Sequence, residues 1–203
     1  VLPMGRDAVL VETEDGEGAQ ALHAELLRRR AAGEFAEVRE IVPAARTVLV
    51  AGLADPRGFA AAVTGWEVPP VGPGSGELRE LPVRFDGPDV AEVAALWSVA
   101  PEELPGIVTA TPFRVAFCGF APGFAYLTGL PPELHLPRRP TPRTAVPAGS
   151  VALAGPYAGA YPRSSPGGWQ LVGTTDAPLW EPSREPAALL SPGTEVRFVE
   201  VTA

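Results

Sequence analysis

Twenty-five prolines and 22 glycines punctuate these 203 residues, and they follow no period. A proline fixes φ and removes a backbone donor, so it ends or kinks a helix and is confined to strand edges. Spread along a whole chain, such punctuation favours many short strands and turns over long helices. The lack of a period excludes collagen and simple low complexity. Apolar residues make up 46% and charged residues 20%, enough to bury a core and unlike a disordered polymer.

The pattern divides into two textures. Met4 to Glu12 predicts a strand, Gly18 to Gly33 a helix with Ala19, Leu22, Leu26 and Leu27 at helical spacing, and Arg28 to Arg30 fall in its last turn. Val38 to Val42 and Thr47 to Ala51 predict two strands. Asp55 caps a second helix with Pro56 in its first turn. Glu77 to Phe85 alternates and supplies a fourth strand, completing a split β-α-β, ferredoxin-like order. The Pro- and Gly-rich segment Val68 to Gly76 reads either as a linker or as a loop before that strand. Asp89 to Trp97 and Pro101 to Leu104 read as helices, with Asp89 as the cap of the first. From Phe113 onward short apolar runs (Phe113 to Cys118, Ser150 to Ala154, Trp169 to Gly173, Glu195 to Val201) alternate with Pro-Gly turn signals, the texture of an all-β sandwich or barrel.

Charge narrows the partners. The net charge is -8 and all 16 basic residues are arginine. No basic excess exists to neutralise a phosphate backbone, which argues against nucleic acid as a partner. A chain without lysine has no Schiff-base lysine and no P-loop lysine. One cysteine, Cys118, cannot pair internally, and with only His23 and His135 a Cys/His metal site is not expected. No run of about 18 apolar residues and no charged-then-apolar leader is present, so the expectation is a cytoplasmic protein with no membrane partner.

Three stretches could carry chemistry. In GFAPGF, Gly119 to Phe124, Pro122-Gly123 fits a type II turn flanked by Phe120 and Phe124. Such a bend is either a packed corner or an apolar wall with exposed N–H groups, in which Gly123 lets a ligand approach. In PRRPTPRTAVPAGS, Pro137 to Ser150, prolines stiffen a segment bearing Arg138, Arg139 and Arg143. Rigid guanidinium groups either clamp a carboxylate or phosphate or simply pair with surface acids. In AGAYPRSSPGGWQLVG, Ala158 to Gly173, Ser164 and Ser165 have no base nearby in sequence, Trp169 reads as core, and Gln170 alternates to the opposite face. Cys118 reads as a small buried hydrophobe. His135 reads as a solvated or hydrogen-bonded loop residue, and less simply as one that faces a site.

Taken together, GFAPGFAYLTGL (Gly119 to Leu130), PRRPTPRTAVPAGSV (Pro137 to Val151), Tyr161-Pro162 and SPGGW (Ser165 to Trp169) resemble the allophanate hydrolase subunit 1 family. That family includes the B subunit of ATP-dependent 5-oxoprolinase, the kinase inhibitor KipI and a region of urea carboxylase. The resemblance implies an α+β chain, with a ferredoxin-like domain over 1–84 and a cyclophilin-like β-barrel over 85–203. It implies a role as a non-autonomous subunit of a 5-oxoprolinase-type amidohydrolase, which opens the lactam of 5-oxoproline to glutamate. The partner would be an allophanate hydrolase subunit 2, a homologue of the C subunit of 5-oxoprolinase, with a third subunit joining in that enzyme. ATP would be the cofactor, bound here or on a partner. Alternatives are a protein-binding regulator like KipI, or an allophanate hydrolase or urea carboxylase subunit. The implied substrate-binding residues are Arg138, Arg143, Tyr161, Gln170, Phe120, Gly123, Phe124 and Ser150, with no metal. The family commonly has His-Ser or His-Thr where Val108-Thr109 stands, and Gln-Thr-Gly where Tyr157-Ala158-Gly159 stands.

Overall fold

A computed structural model describes residues 1–72 and 76–202. The chain divides into two compact units, Val1–Ser75 and Gly76–Ala203.

In the first unit, β1 (Leu2–Pro3), β2 (Ala8–Glu12), β3 (Glu40–Pro43) and β4 (Thr47–Ala51) form one antiparallel sheet in the order β1-β2-β4-β3. Helices α1 (Gly16–Ala31) and α2 (Pro56–Val63) accompany it. Asp15 starts α1, accepting a hydrogen bond from Gly18 N at 2.8 Å, so the helix begins two residues earlier than the apolar spacing suggests. Asp55 starts α2 in the same way, accepting from Gly58 N at 2.9 Å. The strand alternation sends Val9, Val11, Val48 and Val50 to one face, where they meet Leu22 and Leu26 of α1 and Phe59 and Val63 of α2.

One expectation is corrected here. The strand expected to complete this sheet, β5 (Leu78–Val83), lies in the second unit, paired in parallel with β13 (Glu195–Glu200) over six residues. The edge position beside β2 is taken instead by the two-residue β1, antiparallel to it. An alternating strand carries no local signal of which sheet it will join, because either sheet satisfies its donors and acceptors.

The second unit is a nearly closed β-barrel. Helices α3 (Val90–Trp97) and α4 (Leu104–Ala110) follow β5. Next come β6 (Phe113–Cys118), β7 (Ala125–Thr128), β8 (Arg143–Val146), β9 (Ser150–Ala154), β10 (Tyr157–Ala160), β11 (Ser165–Gly167) and β12 (Gln170–Thr174). Seven strands run in the order β12-β9-β10-β7-β6-β13-β5. Arg84 and Thr174 exchange backbone hydrogen bonds of 2.9 and 2.8 Å, which brings the two edges together. The interior holds Leu81, Val83, Phe113, Val115, Leu127, Leu153 and Phe198. Each such side chain contributes about 1.5–3 kcal/mol by leaving water. The β8–β11 ribbon forms a separate sheet. Val146 of β8 joins a second cluster with Phe124, Ala152, Ala154, Tyr161, Trp169 and Leu171. Sequence reading missed β7, β8, β10, β11 and α4, all short and several holding proline or glycine. Among the described residues no helix is long and apolar enough to cross a membrane.

Candidate functional site

The twin Gly-Phe segment folds into two successive turns. Ala121 N–H donates to Gly119 C=O at 2.7 Å, a γ-turn centred on Phe120 with φ at 66°. Phe124 N–H then donates to Ala121 C=O at 2.9 Å, with Pro122 and Gly123 between them and Gly123 at φ 83°. The second turn is the one the Pro-Gly pair demands. The first is unexpected, since a left-handed, non-glycine γ-turn stores strain. A strained aromatic that is also 58% exposed points to use rather than to packing. Gly123 is obligatory for a second reason: a Cβ there would lie 2.7 Å from the Trp180 Cβ.

Phe124 is buried beneath the turn and touches Phe120, Tyr126, Tyr161 and Trp169 edge-on, with ring centroids 5.1–5.5 Å apart. Tyr126 stacks on Phe117 at 4.3 Å, and Tyr157 meets both edge-on. The result is an aromatic wall running from Phe120 to Tyr157. Gly159 lets the Phe124 ring lie close to β10, since a Cβ there would be 3.1 Å from the ring. At one side of the wall lies an open cleft of about 220 Å³, lined by Gly149, Tyr161, Thr175, Asp176, Leu179 and Trp180, among others. The turn therefore does both things its sequence allows. It is a packed corner around Phe124, and it flanks a cleft through Tyr161 and Trp180.

The three arginines of the proline-rich segment separate. Asp89 is buried, and its Oδ1 accepts from Arg139 Nη1 at 2.9 Å and from Arg143 Nη2 at 2.7 Å. Its Oδ2 accepts from the backbone N–H of Leu171 at 2.7 Å. Glu92 Oε2 lies 3.3 Å from Arg139. Contrary to the expected cap of α3, the Asp89 carboxylate makes no cap hydrogen bond and is wholly used in this cluster. Arg143 also reaches the Trp169 carbonyl at 3.5 Å. Its charge is therefore committed within the fold, contrary to a free clamp. Arg138 is exposed, and among the described residues it has no carboxylate at ion-pair distance.

The remaining expected site residues do not all converge. Tyr161 is buried, and its hydroxyl sits against Gly167. Burial pushes its pKa up, Tyr126 adds to the rise, and Arg138 and Arg143 oppose it. Gln170 is buried on the strand face opposite Trp169 and Leu171. Its Nε2 reaches the Pro137 carbonyl at 3.5 Å, while its Oε1 has no partner among the described residues. It braces the arginine segment rather than lining the cleft. Ser150 is buried on β9 and is not among the cleft residues. Val108 is fully buried in the barrel interior.

The other reactive side chains are occupied. His23 is buried in α1 of the first unit, and the His135 ring lies 3.1 Å from the Leu130 carbonyl. Burial pushes the Cys118 thiol up to about 11, so it stays protonated. Asp176, on the cleft rim, is held below the usual carboxylate range by its hydrogen bonds to Arg84 at 2.6 and 3.1 Å. The cleft thus offers shape, aromatic surface and fixed charge rather than a poised acid or base. Sequence reading missed Asp89, Asp176 and Trp180 as members of this region. No local spacing ties Asp89 to arginines 50 and 54 residues away.

Comparison with known proteins bears on the same segments. Residues 1–190 match the family described as carboxyltransferase domain, subdomain C and D. The chain is 47% identical over 123 residues to the B subunit of 5-oxoprolinase from Escherichia coli O157:H7, covering 59% of this chain and 56% of that one. It is 44% identical over 128 residues to the Bacillus subtilis (strain 168) protein of the same name, covering 62% and 53%. The matches thus span little more than half the length of those relatives. Among solved structures, TTHA0988 superposes with a TM-score of 0.81 at 32% identity, covering 98% of this chain and 40% of that one. PH0987 from Pyrococcus horikoshii gives 0.59 at 29%, covering 98% and 96%. Urea carboxylase of Kluyveromyces lactis gives 0.67 at 18% and covers 97% of this chain and 21% of that one, a likeness of fold alone. The α+β class, a ferredoxin-like unit followed by a cyclophilin-like barrel, stands. The chain belongs to the carboxyltransferase subdomain C and D family, the allophanate hydrolase subunit 1 and KipI group that its twin-phenylalanine and proline–arginine motifs resemble.

Proposed function

We propose that this chain is a subunit of a 5-oxoprolinase-type amidohydrolase that opens the lactam of 5-oxoproline to glutamate. The observation that carries this reading is the twin-phenylalanine turn. In a chain 43–47% identical to proteins named as the B subunit of 5-oxoprolinase, that turn is strained, half-exposed and set beside a small cleft. An aromatic wall with a guanidinium nearby suits a compact ring acid, whose apolar body and carboxylate need different surfaces.

The cleft is small for ATP: its volume of about 220 Å³ lies below the roughly 300–1,000 Å³ of sites for drug-sized ligands. The chain has no lysine, and among the described residues no cluster of His, Cys, Asp or Glu could hold a metal ion. On this reading the nucleotide is bound by a partner, either a subunit 2 homologous to the C subunit of 5-oxoprolinase or a third subunit. Trp180, 43% exposed, lines the cleft, and Phe120, 58% exposed, meets the cleft residue Tyr161 edge-on, so both offer apolar surface that a partner would cover. The chain's own contribution is binding and orientation.

The test is reconstitution with both partner subunits, ATP and 5-oxoproline. Glutamate should form in step with ATP hydrolysis and only when this chain is present. An inert three-subunit complex contradicts the reading. Capture of a histidine kinase in place of a subunit 2 homologue would favour a regulator instead.

A further inference from the structure

We infer that Arg138, and not Arg143, is the residue of the proline-rich segment that binds the carboxylate of the small-molecule ligand, and that the Asp89 cluster positions it. This deepens the proposed function and rests on it for the identity of the ligand.

The argument is first one of charge. Asp89 and Glu92 lie with Arg139 and Arg143, the contacts measuring 2.7–3.3 Å. Two carboxylates and two guanidinium groups sum to zero, and Asp89 is buried between its partners. A guanidinium drawn from such a pair toward a ligand would leave Asp89 buried and under-compensated, which is strongly unfavourable. Arg139 and Arg143 are therefore committed. Arg138 immediately precedes Arg139 and is exposed, with no carboxylate partner among the described residues.

The second argument is geometric. The backbone on both sides of Arg138 is held. The Pro137 carbonyl accepts from Gln170 Nε2 at 3.5 Å, and Arg139 N–H donates to the Gly168 carbonyl at 2.8 Å. Proline at 137 and 140 restricts the segment further. The segment so held lies against Gly168 and Gln170, on either side of Trp169, which meets Phe124 and Tyr126 of the wall edge-on at 5.5 and 5.6 Å. The Arg138 charge, like that of Arg143, opposes the rise that burial imposes on the Tyr161 hydroxyl. Tyr161 also lines the cleft and meets Phe120 and Phe124 edge-on. A cation on a stiffened backbone next to an aromatic wall matches a compact ring carboxylate, the fork taking both oxygens.

The experiment uses the assembled complex. Arg138→Gln should raise KM for 5-oxoproline about tenfold or more with kcat little changed, the loss of one charge-assisted contact. Arg138→Lys should recover part of it. Arg143→Gln should lower stability but leave KM of the folded complex within about threefold. 2-Pyrrolidinone, which keeps the ring and lacks the carboxylate, should inhibit wild type and Arg138→Gln equally. An unchanged KM in Arg138→Gln, an equal rise in Arg143→Gln, or an equal loss of 2-pyrrolidinone affinity overturns the inference while the proposed function stands. If the wild-type complex does not turn over 5-oxoproline, that function falls, and the inference is read by ligand-observed NMR with 5-oxoproline, proline and benzoate. Carboxylate binding that is lost in Arg138→Gln sustains it. Binding that survives, or no binding to wild type, ends it.

Discussion

Among the described residues, each unit holds one buried carboxylate between two arginines, and the two clusters are built differently. In α1, Glu25 takes Arg28 at 2.7 and 2.8 Å and Arg29 at 2.6 Å, partners three and four residues on along the same helix. Arg29 also lies over the Trp66 ring at 3.9 Å. In the barrel, Asp89 takes Arg139, Arg143 and the Leu171 N–H, which come from the segment leading to β8, from β8 itself and from β12. The helical cluster tightens an element that its own sequence already favours. The barrel cluster ties together pieces that lie far apart in the chain and helps to fix the segment that presents Arg138. The same chemistry is local reinforcement in one place and long-range construction in the other.

That contrast sets the size of each expected effect. Asp89→Ala removes the shortest acceptor contact of two guanidinium groups and the side-chain acceptor of a buried N–H, and should cost about 3–5 kcal/mol, measured as the denaturant midpoint of the barrel unit. A cost under about 1 kcal/mol would reduce Asp89 to a surface pair. Next comes His23, two residues from Glu25. Burial, then the nearby Arg30 charge, lowers its pKa from 6.5 to about 4. The unfolded chain binds the proton first, so this stability is complete above pH 6.5 and is lost as pH falls toward 4. The loss is about 3 kcal/mol at most. His23→Gln should flatten that slope, and a slope that persists would point to another group.

Smaller effects follow. Hydrogen bonding by Arg28, more than any other cause, lowers the Glu25 carboxyl to about 2. Its contribution is therefore present above pH 4.5 and lost as pH falls through 2, a window below that of His23. Glu25→Gln should cost about 1 kcal/mol, because Arg28 is 64% exposed and each helical pair is worth only a few tenths. A loss as large as that of Asp89→Ala would erase the distinction between the two clusters. Phe120→Gly should shift unfolding by less than about 1 kcal/mol, relief of the left-handed backbone offsetting the lost ring contacts. It should nevertheless weaken ligand binding at the wall.

What the sequence reveals follows the same division between local and distant. Asp55 as a cap, the Leu22 and Leu26 face, and glycine at positive φ in the Pro122-Gly123 turn each follow from neighbours a few residues apart. Trp169 as core and Gln170 on the opposite face follow from strand alternation. The strand Leu78–Val83 is legible as a strand but not as a member of the barrel, since its partner lies more than a hundred residues on. Asp89 reads as a cap for the same reason: a helix start is written locally, and a pair of arginines across the barrel is not. At the site, the twin-phenylalanine motif announces a bend and an aromatic surface. Which arginine remains unpaired beside it depends on contacts that only the folded chain shows.

The claim on which the account turns is that Asp89 engages Arg143 inside the fold and so leaves Arg138 to the ligand. A double-mutant cycle on unfolding free energy, Asp89→Asn with Arg143→Gln, tests it most directly. The structure predicts a coupling of about 1.5–3 kcal/mol, as for a largely desolvated charge-assisted pair. Additive effects, with a coupling below about 0.5 kcal/mol, would mean that Arg143 is not held by Asp89 and is as free as Arg138 to meet a substrate.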